Sequence, residues 1–173
     1  MNKLVSTLTM AALLIAPHLA SAQSWTYVNY APDLSWAGDD FTSRITIVVD
    51  KGLFGYGHSY GMLGRCRDGD SSCMTVDFMA LLPLPVGAVP GSSYREGPYT
   101  FRVSRTVDLA ILGHQLRTLR VDVTKDGKAA NAYLFETERG IVAIMPVNFG
   151  VKGIPESIYL LEGERGVFAE APR

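Results

Sequence analysis

The chain has 173 residues, with 16 lysines and arginines against 17 aspartates and glutamates and a formal net charge of −1. So even a balance gives no electrostatic footing for nucleic acid or an anionic membrane, and neither is an expected partner.

The first 22 residues read as a signal peptide. Lys3 supplies the positive start, and 4–16 is an apolar stretch too short to span a bilayer. Pro17 then breaks the helix ahead of the small residues Ala20, Ser21 and Ala22. No cysteine lies near this cleavage position to carry a lipid. The expected organisation is a signal helix over 1–22 and a single β-rich domain over 23–173, with no membrane span after cleavage. A mature chain of about 150 residues buries roughly 68–70% of its unfolded surface and needs neither a metal nor many disulfides to fold. The signal points to export, to a bacterial periplasm or the extracellular space.

Past the signal, short runs with a two-residue period alternate with Gly, Asp and Pro, the pattern of antiparallel strands with one dry and one wet face. Over 44–50, Ile45, Ile47 and Val49 share a face, and Asp50-Lys51-Gly52 offers a turn. The run Gly55-Tyr56-Gly57-His58-Ser59-Tyr60-Gly61 follows. Cys66 and Cys73 flank a Gly-Asp-Ser loop, and in an oxidising compartment they form a disulfide. Closing so short a loop stabilises by roughly 2–3 kcal/mol in the chain-entropy picture. The two-residue cysteine spacing of thiol oxidoreductases is absent.

Residues 74–81 read as one strand with Met74, Val76 and Phe78 inward. Pro83, Pro85 and Pro90 predict a long, partly extended loop over 82–97, because proline cannot donate to a ladder. Tyr99, Phe101 and Val103 alternate with Thr100, Arg102 and Ser104 in a further strand. A short helical turn is allowed over 107–114. Leu119, Val121 and Val123 mark the next strand, and Lys125-Asp126-Gly127-Lys128 is a hairpin signal.

Residues 132–146 recur 26 positions later as 158–172, with eight of fifteen aligned residues identical, among them Tyr133/Tyr159, Glu138/Glu164, Arg139/Arg165 and Gly140/Gly166. Each copy reads as strand, turn and return strand with an exposed tip. One reading is a duplicated unit, and the other is two hairpins that share turn chemistry. The whole is expected to be all-β, roughly eight to ten strands in one antiparallel domain. A barrel or strongly curved meander is the expected arrangement, with a two-sheet sandwich as the alternative.

Tyr56, His58 and Tyr60 are the candidate ligand-binding residues. Flanking glycines let a backbone approach a ligand, and tyrosine offers a ring face and a hydroxyl. Trp25, Tyr27, Tyr30, Trp36 and Phe41 supply further aromatic surface. The competing reading is that the aromatics fill the core and the glycines let a strand bend.

His58 and His114 are the only histidines beyond the signal, too few for a common zinc set. Asp68 and Asp70 alternate as in a calcium loop, but Cys73 and Met79 stand where the glycine and glutamate belong. No metal or other cofactor is expected. There is no Gly-x-Ser-x-Gly and no phosphate-binding glycine loop. Adjacent His58 and Ser59 would point to opposite faces of a strand.

The functional expectation is an exported, non-enzymatic binding protein for a protein partner or a small apolar or aromatic ligand. A small secreted hydrolase using His58 or His114 with a carboxylate is the competing class. A structural envelope component, with edge contacts near Tyr133 or Tyr159, is a third.

Overall fold

Alternating apolar residues become strands here because each buries one face while its backbone is satisfied by its neighbours. The computed structural model describes residues 23–29, 44–57, 59–68, 72–76, 78–111, 113–146 and 158–169. The expected signal helix over 1–22, His58, Asp70 and the aromatics Tyr30, Trp36 and Phe41 lie outside the described residues.

In chain order the strands are β1 (Ser24–Asn29), β2 (Arg44–Val48), β3 (Leu53–Tyr56), β4 (Ser59–Met62), β5 (Gly64–Arg65), β6 (Met74–Val76) and β7 (Met79–Leu81). They continue as β8 (Ser93–Glu96), β9 (Tyr99–Ile111), β10 (His114–Lys125), β11 (Lys128–Glu136), β12 (Gly140–Pro146) and β13 (Tyr159–Leu161). Ten of them form one antiparallel sheet, ordered β4-β3-β2-β1-β13-β12-β11-β10-β9-β8, and β5-β6-β7 form a second, small one. The protein is therefore all-β, as its alternation implies, but the barrel is not closed. Among the described residues the large sheet ends at β4 and β8. The chain leaves β4 directly for the small sheet, which packs against β11 instead of joining the two edges. The strands of Tyr133 and Tyr159 lie inside the sheet, so its edges are elsewhere.

Tyr27, Ile45, Ile47, Phe101, Tyr133 and Tyr159 anchor the core, each almost completely buried. Expected turns form where φ requires them: Asp126 (φ 50°) and Gly127 (φ 78°) join β10 to β11 in the left-handed geometry of a primed hairpin turn.

The loop expected over 82–97 ends early, because Ser93–Glu96 pairs with β9 as strand β8; three further local expectations change. Residues 74–81 are not one strand but a tight hairpin, with Val76 opposite Met79. The parity restarts at the turn, so Met79 and Leu81 are buried while Phe78 is only half-buried. Residues 107–111 and 113–114 are not helical; they end β9 and begin β10, with Ile111 opposite His114 and Gly113 (φ 77°) in the turn. The period-2 spacing of Val107, Leu109 and Ile111 favours the extended form.

The third concerns the duplicated segment. Its first copy is the hairpin β11–β12, but among the described residues the second keeps only β13 and then loops across the first copy's turn. Gly166 N donates to Arg139 O at 2.7 Å, and Ile141 N donates to Val167 O at 2.9 Å. The two glycines are buried at this crossing, not at exposed tips, although Glu138 and Glu164 remain exposed.

Polar side chains fasten the layers. Asn131 accepts from Ala80 N through Oδ1 at 2.9 Å and donates from Nδ2 to Ala80 O at 3.1 Å. Two positions along β11, the Tyr133 hydroxyl donates to Leu82 O at 2.8 Å. The Tyr27 hydroxyl donates to Ile141 O at 2.9 Å and accepts from Val167 N at 3.1 Å.

Burial raises the Tyr27 and Tyr133 hydroxyls well above the ordinary tyrosine value of 10.0. A tyrosine is neutral when protonated, so a raised folded value means that stability is intact below about pH 10 and falls as pH rises above it. Two such groups give a slope of up to about 3 kcal/mol per pH unit. Urea unfolding followed from about pH 9 to about pH 11 should show this decline, and a flat profile would contradict the burial of these hydroxyls as neutral groups.

Candidate binding cleft

The cleft arises from what proline prevents. After Leu82 is tethered by Tyr133, Pro83 and Pro85 cannot continue the ladder of β7, and the chain stands away from the sheet. A turn closes from Ala88 N to Pro85 O at 3.1 Å, with Gly87 at φ 84°. The segment returns to the sheet where Gly91 N donates to Val103 O at 2.8 Å. Held at both ends, 83–88 forms one wall of an open cleft of about 230 Å³.

Leu119 of β10 and Phe135 of β11, directly opposite each other, face that wall. Phe168 and Thr137 complete the lining, and Thr137 brings its only hydroxyl side chain. Among the described residues no charged side chain lines it. The Thr137 turn is ordered by the Glu136 carboxylate, whose Oε2 accepts from Glu138 N at 3.0 Å and Arg139 N at 2.8 Å. Phe168 sits at φ 65°, a left-handed conformation unusual for a bulky residue, which costs on the order of 1–3 kcal/mol. It follows directly on the crossing of the two repeats, so those backbone bonds hold its ring in the cleft. A space of this size has room for a single ring or short branched chain, and apart from Thr137 the side chains that line it are apolar.

The residues singled out by sequence lie elsewhere. Tyr56 is half-buried on the core side, its hydroxyl 3.1 Å from that of Tyr159 and its ring edge-on to Phe78 at 6.2 Å. Tyr60 pairs with Gly55 across β3–β4 and is 74% exposed on the opposite face. Its ring atoms come within 3.0 Å of where a Gly55 side chain would begin, so that glycine makes room for the tyrosine. The sheet separates the two rings, and they do not share a pocket. His58 falls outside the described residues.

His114 is exposed at the far end of the β9–β10 hairpin, with no carboxylate partner among the described residues. Burial tends to raise the Asp122 carboxyl on that hairpin, but Arg120, Ser104 and Arg105 hold it below the usual range. The Cys66–Cys73 disulfide is formed, with Cα atoms 5.5 Å apart. Its loop is secured by Arg67 Nε 2.9 Å from Glu96 Oε2 and by Gly97, which leaves space for the Cys66 carbonyl. A disulfide is compatible with an oxidising compartment.

Among the described residues no cluster of three His, Cys, Asp or Glu side chains could hold a metal ion, and no helix is long and apolar enough to cross a membrane. Sequence reasoning marked the proline segment as a loop but missed Leu119, Phe135 and Phe168, whose meeting depends on long-range pairing. No family model matches this chain, and neither a curated protein nor a solved structure does.

Proposed function

We propose that the protein is an exported, non-enzymatic binding protein whose cleft takes a small apolar or aromatic ligand. The observation that carries this reading is the uncharged space between 83–88 and the Leu119–Phe135 pair, with Phe168 held in a strained conformation at its side. Strain kept in a bulky residue beside an open cleft motivates a functional reading of that cleft. The disulfide and the signal-like 1–22 support export.

Val86, 91% exposed, and Val89, 58% exposed, extend apolar surface along the same segment and favour a second reading. In it, the group entering the cleft is a side chain of a partner protein.

Native mass spectrometry of the protein recovered from its host, as wild type and as Ala88→Trp, tests both. The substitution fills the cleft from its proline wall. The expected result is an added mass on the wild type that is missing from the variant: a few hundred daltons for a small ligand (on the order of a drug-sized molecule or less), a polypeptide mass for the second reading. A bare wild-type protein, or an added mass kept by Ala88→Trp, would overturn the cleft as the binding site.

A further inference from the structure

The two ends of the large sheet are protected very differently. At one end, β8 carries Arg95 and Glu96, and Glu96 is paired with Arg67 of the disulfide loop. At the other end, β4 reads Ser-Tyr-Gly-Met, has no charge, and is exposed at all four positions. Tyr60 and Met62 are 74% and 72% exposed and, two residues apart, share the face away from the core. Charge, proline or a cover ordinarily blunts such an edge, because unpaired strand groups template the addition of another strand.

The hydrogen-bond phase of β4 follows from its neighbours. Gly57 N donates to Arg44 O, so alternate residues of β3 serve β2, and Tyr56 and Phe54 serve β4. Leu63 N donates to Gly52 O in the same phase. Ser59 and Gly61 therefore bond inward to β3, and the N–H and C=O groups of Tyr60 and Met62 point outward from the sheet.

We propose that this edge pairs with β4 of a second copy of the chain, antiparallel about a two-fold axis at Gly61. In that register Tyr60 of each copy stands opposite Met62 of the other. Among the described residues nothing bonds to their outward main-chain groups, so the two pairs can exchange four main-chain hydrogen bonds. Side chains of directly opposed residues share a face, which sets each tyrosine ring beside a methionine sulfur, a favourable contact. Gly61 meets Gly61 at the axis, and nothing lies within 4 Å of where its side chain would begin.

The same pattern argues for a second copy over the β8 edge as occupant. An uncharged edge has no complement for Arg95 and Glu96, whereas β4 is complementary to itself in both hydrogen-bond phase and side chains. Four residues a side make an interface below the roughly 1,000 Å² of stable complexes, so the dimer is concentration-dependent, with a dissociation constant of about 10–1,000 µM.

Sedimentation of the purified protein over that range should show a monomer–dimer equilibrium. Tyr60→Lys and Met62→Lys, both at exposed positions, should each weaken it at least about tenfold with circular dichroism unchanged. Gly61→Cys should cross-link between copies on mild oxidation, since a non-hydrogen-bonded antiparallel pair has Cα atoms about 4.5 Å apart, within disulfide reach. Val86→Cys, equally exposed but remote in the chain, should not. A monomer throughout, a dimer indifferent to Tyr60→Lys, or cross-linking of Val86→Cys as fast as of Gly61→Cys would each overturn the proposal.

Discussion

Replacing Gly140 by alanine is expected to destabilise the protein by more than about 4 kcal/mol, enough to unfold many domains of this size. Two causes add. Gly140 has φ 72°, where an L side chain is strained. Its missing side chain is also the space through which the second repeat passes: a Cβ there would run into Val167 O, and would lie 2.8 Å from Phe168 C and 2.5 Å from Ala169 N.

These are backbone atoms, and they cannot retreat without losing the bond from Ile141 N to Val167 O and the grip of the Tyr27 hydroxyl on β12 and the turn at Val167. The arrangement is reciprocal, since a Cβ on Gly166 would strike Ile141 O. In each repeat the glycine receives the carbonyl of the residue that follows the glycine in the other. Gly166→Ala should therefore be about as damaging as Gly140→Ala. Gly163→Ala, which has open space around it and no positive φ, should stay within about 0.5 kcal/mol. Urea unfolding of the three variants checks this, and a Gly140→Ala protein as stable as Gly163→Ala would contradict the crossing.

The second large effect is expected at Asn131. Its amide satisfies both the N–H and the C=O of Ala80, doing for β7 what a neighbouring strand would do. Asn131→Leu keeps similar bulk but leaves two buried backbone groups without partners, a loss of about 2–5 kcal/mol. The damage should be local first. Hydrogen exchange should accelerate across β6 and β7 before it does in β11, because the small sheet loses a clamp on the large one while β11 keeps its ladders to β10 and β12. Uniform acceleration over both sheets, or none, would count against the clamp.

Legibility in the sequence followed the range of the interaction. Ile45, Ile47, Phe101 and Val121 declare their buried faces through a two-residue period, and Asp126-Gly127 declares its turn through local backbone preference. Cys66 and Cys73 are close enough in sequence for their bond to be read from spacing and chemistry. Residues 74–81 misled because strands buried on both sides carry no alternation at the turn, as Met79, Ala80 and Leu81 show.

The repeat was visible as letters, but its meaning was not. Nothing local says that Gly140 and Gly166, 26 residues apart, each make room for the residue that follows the other. The cleft was the least legible part, since Pro83, Leu119, Phe135 and Phe168 meet only once β10, β11 and the second repeat are in place. Tyr56 and Tyr60 stood out by composition, yet the sheet places them on opposite faces.

The most direct measurement is a titration of isotope-labelled protein with indole, followed by heteronuclear NMR, in the wild type and in Ala88→Trp. The expected result is saturable shifts gathered at Leu84, Ala88, Leu119, Phe135 and Phe168 in the wild type and lost in the variant. Shifts scattered over the surface, shifts centred on Tyr56, or an Ala88→Trp protein that responds like the wild type would contradict the cleft as the site of binding.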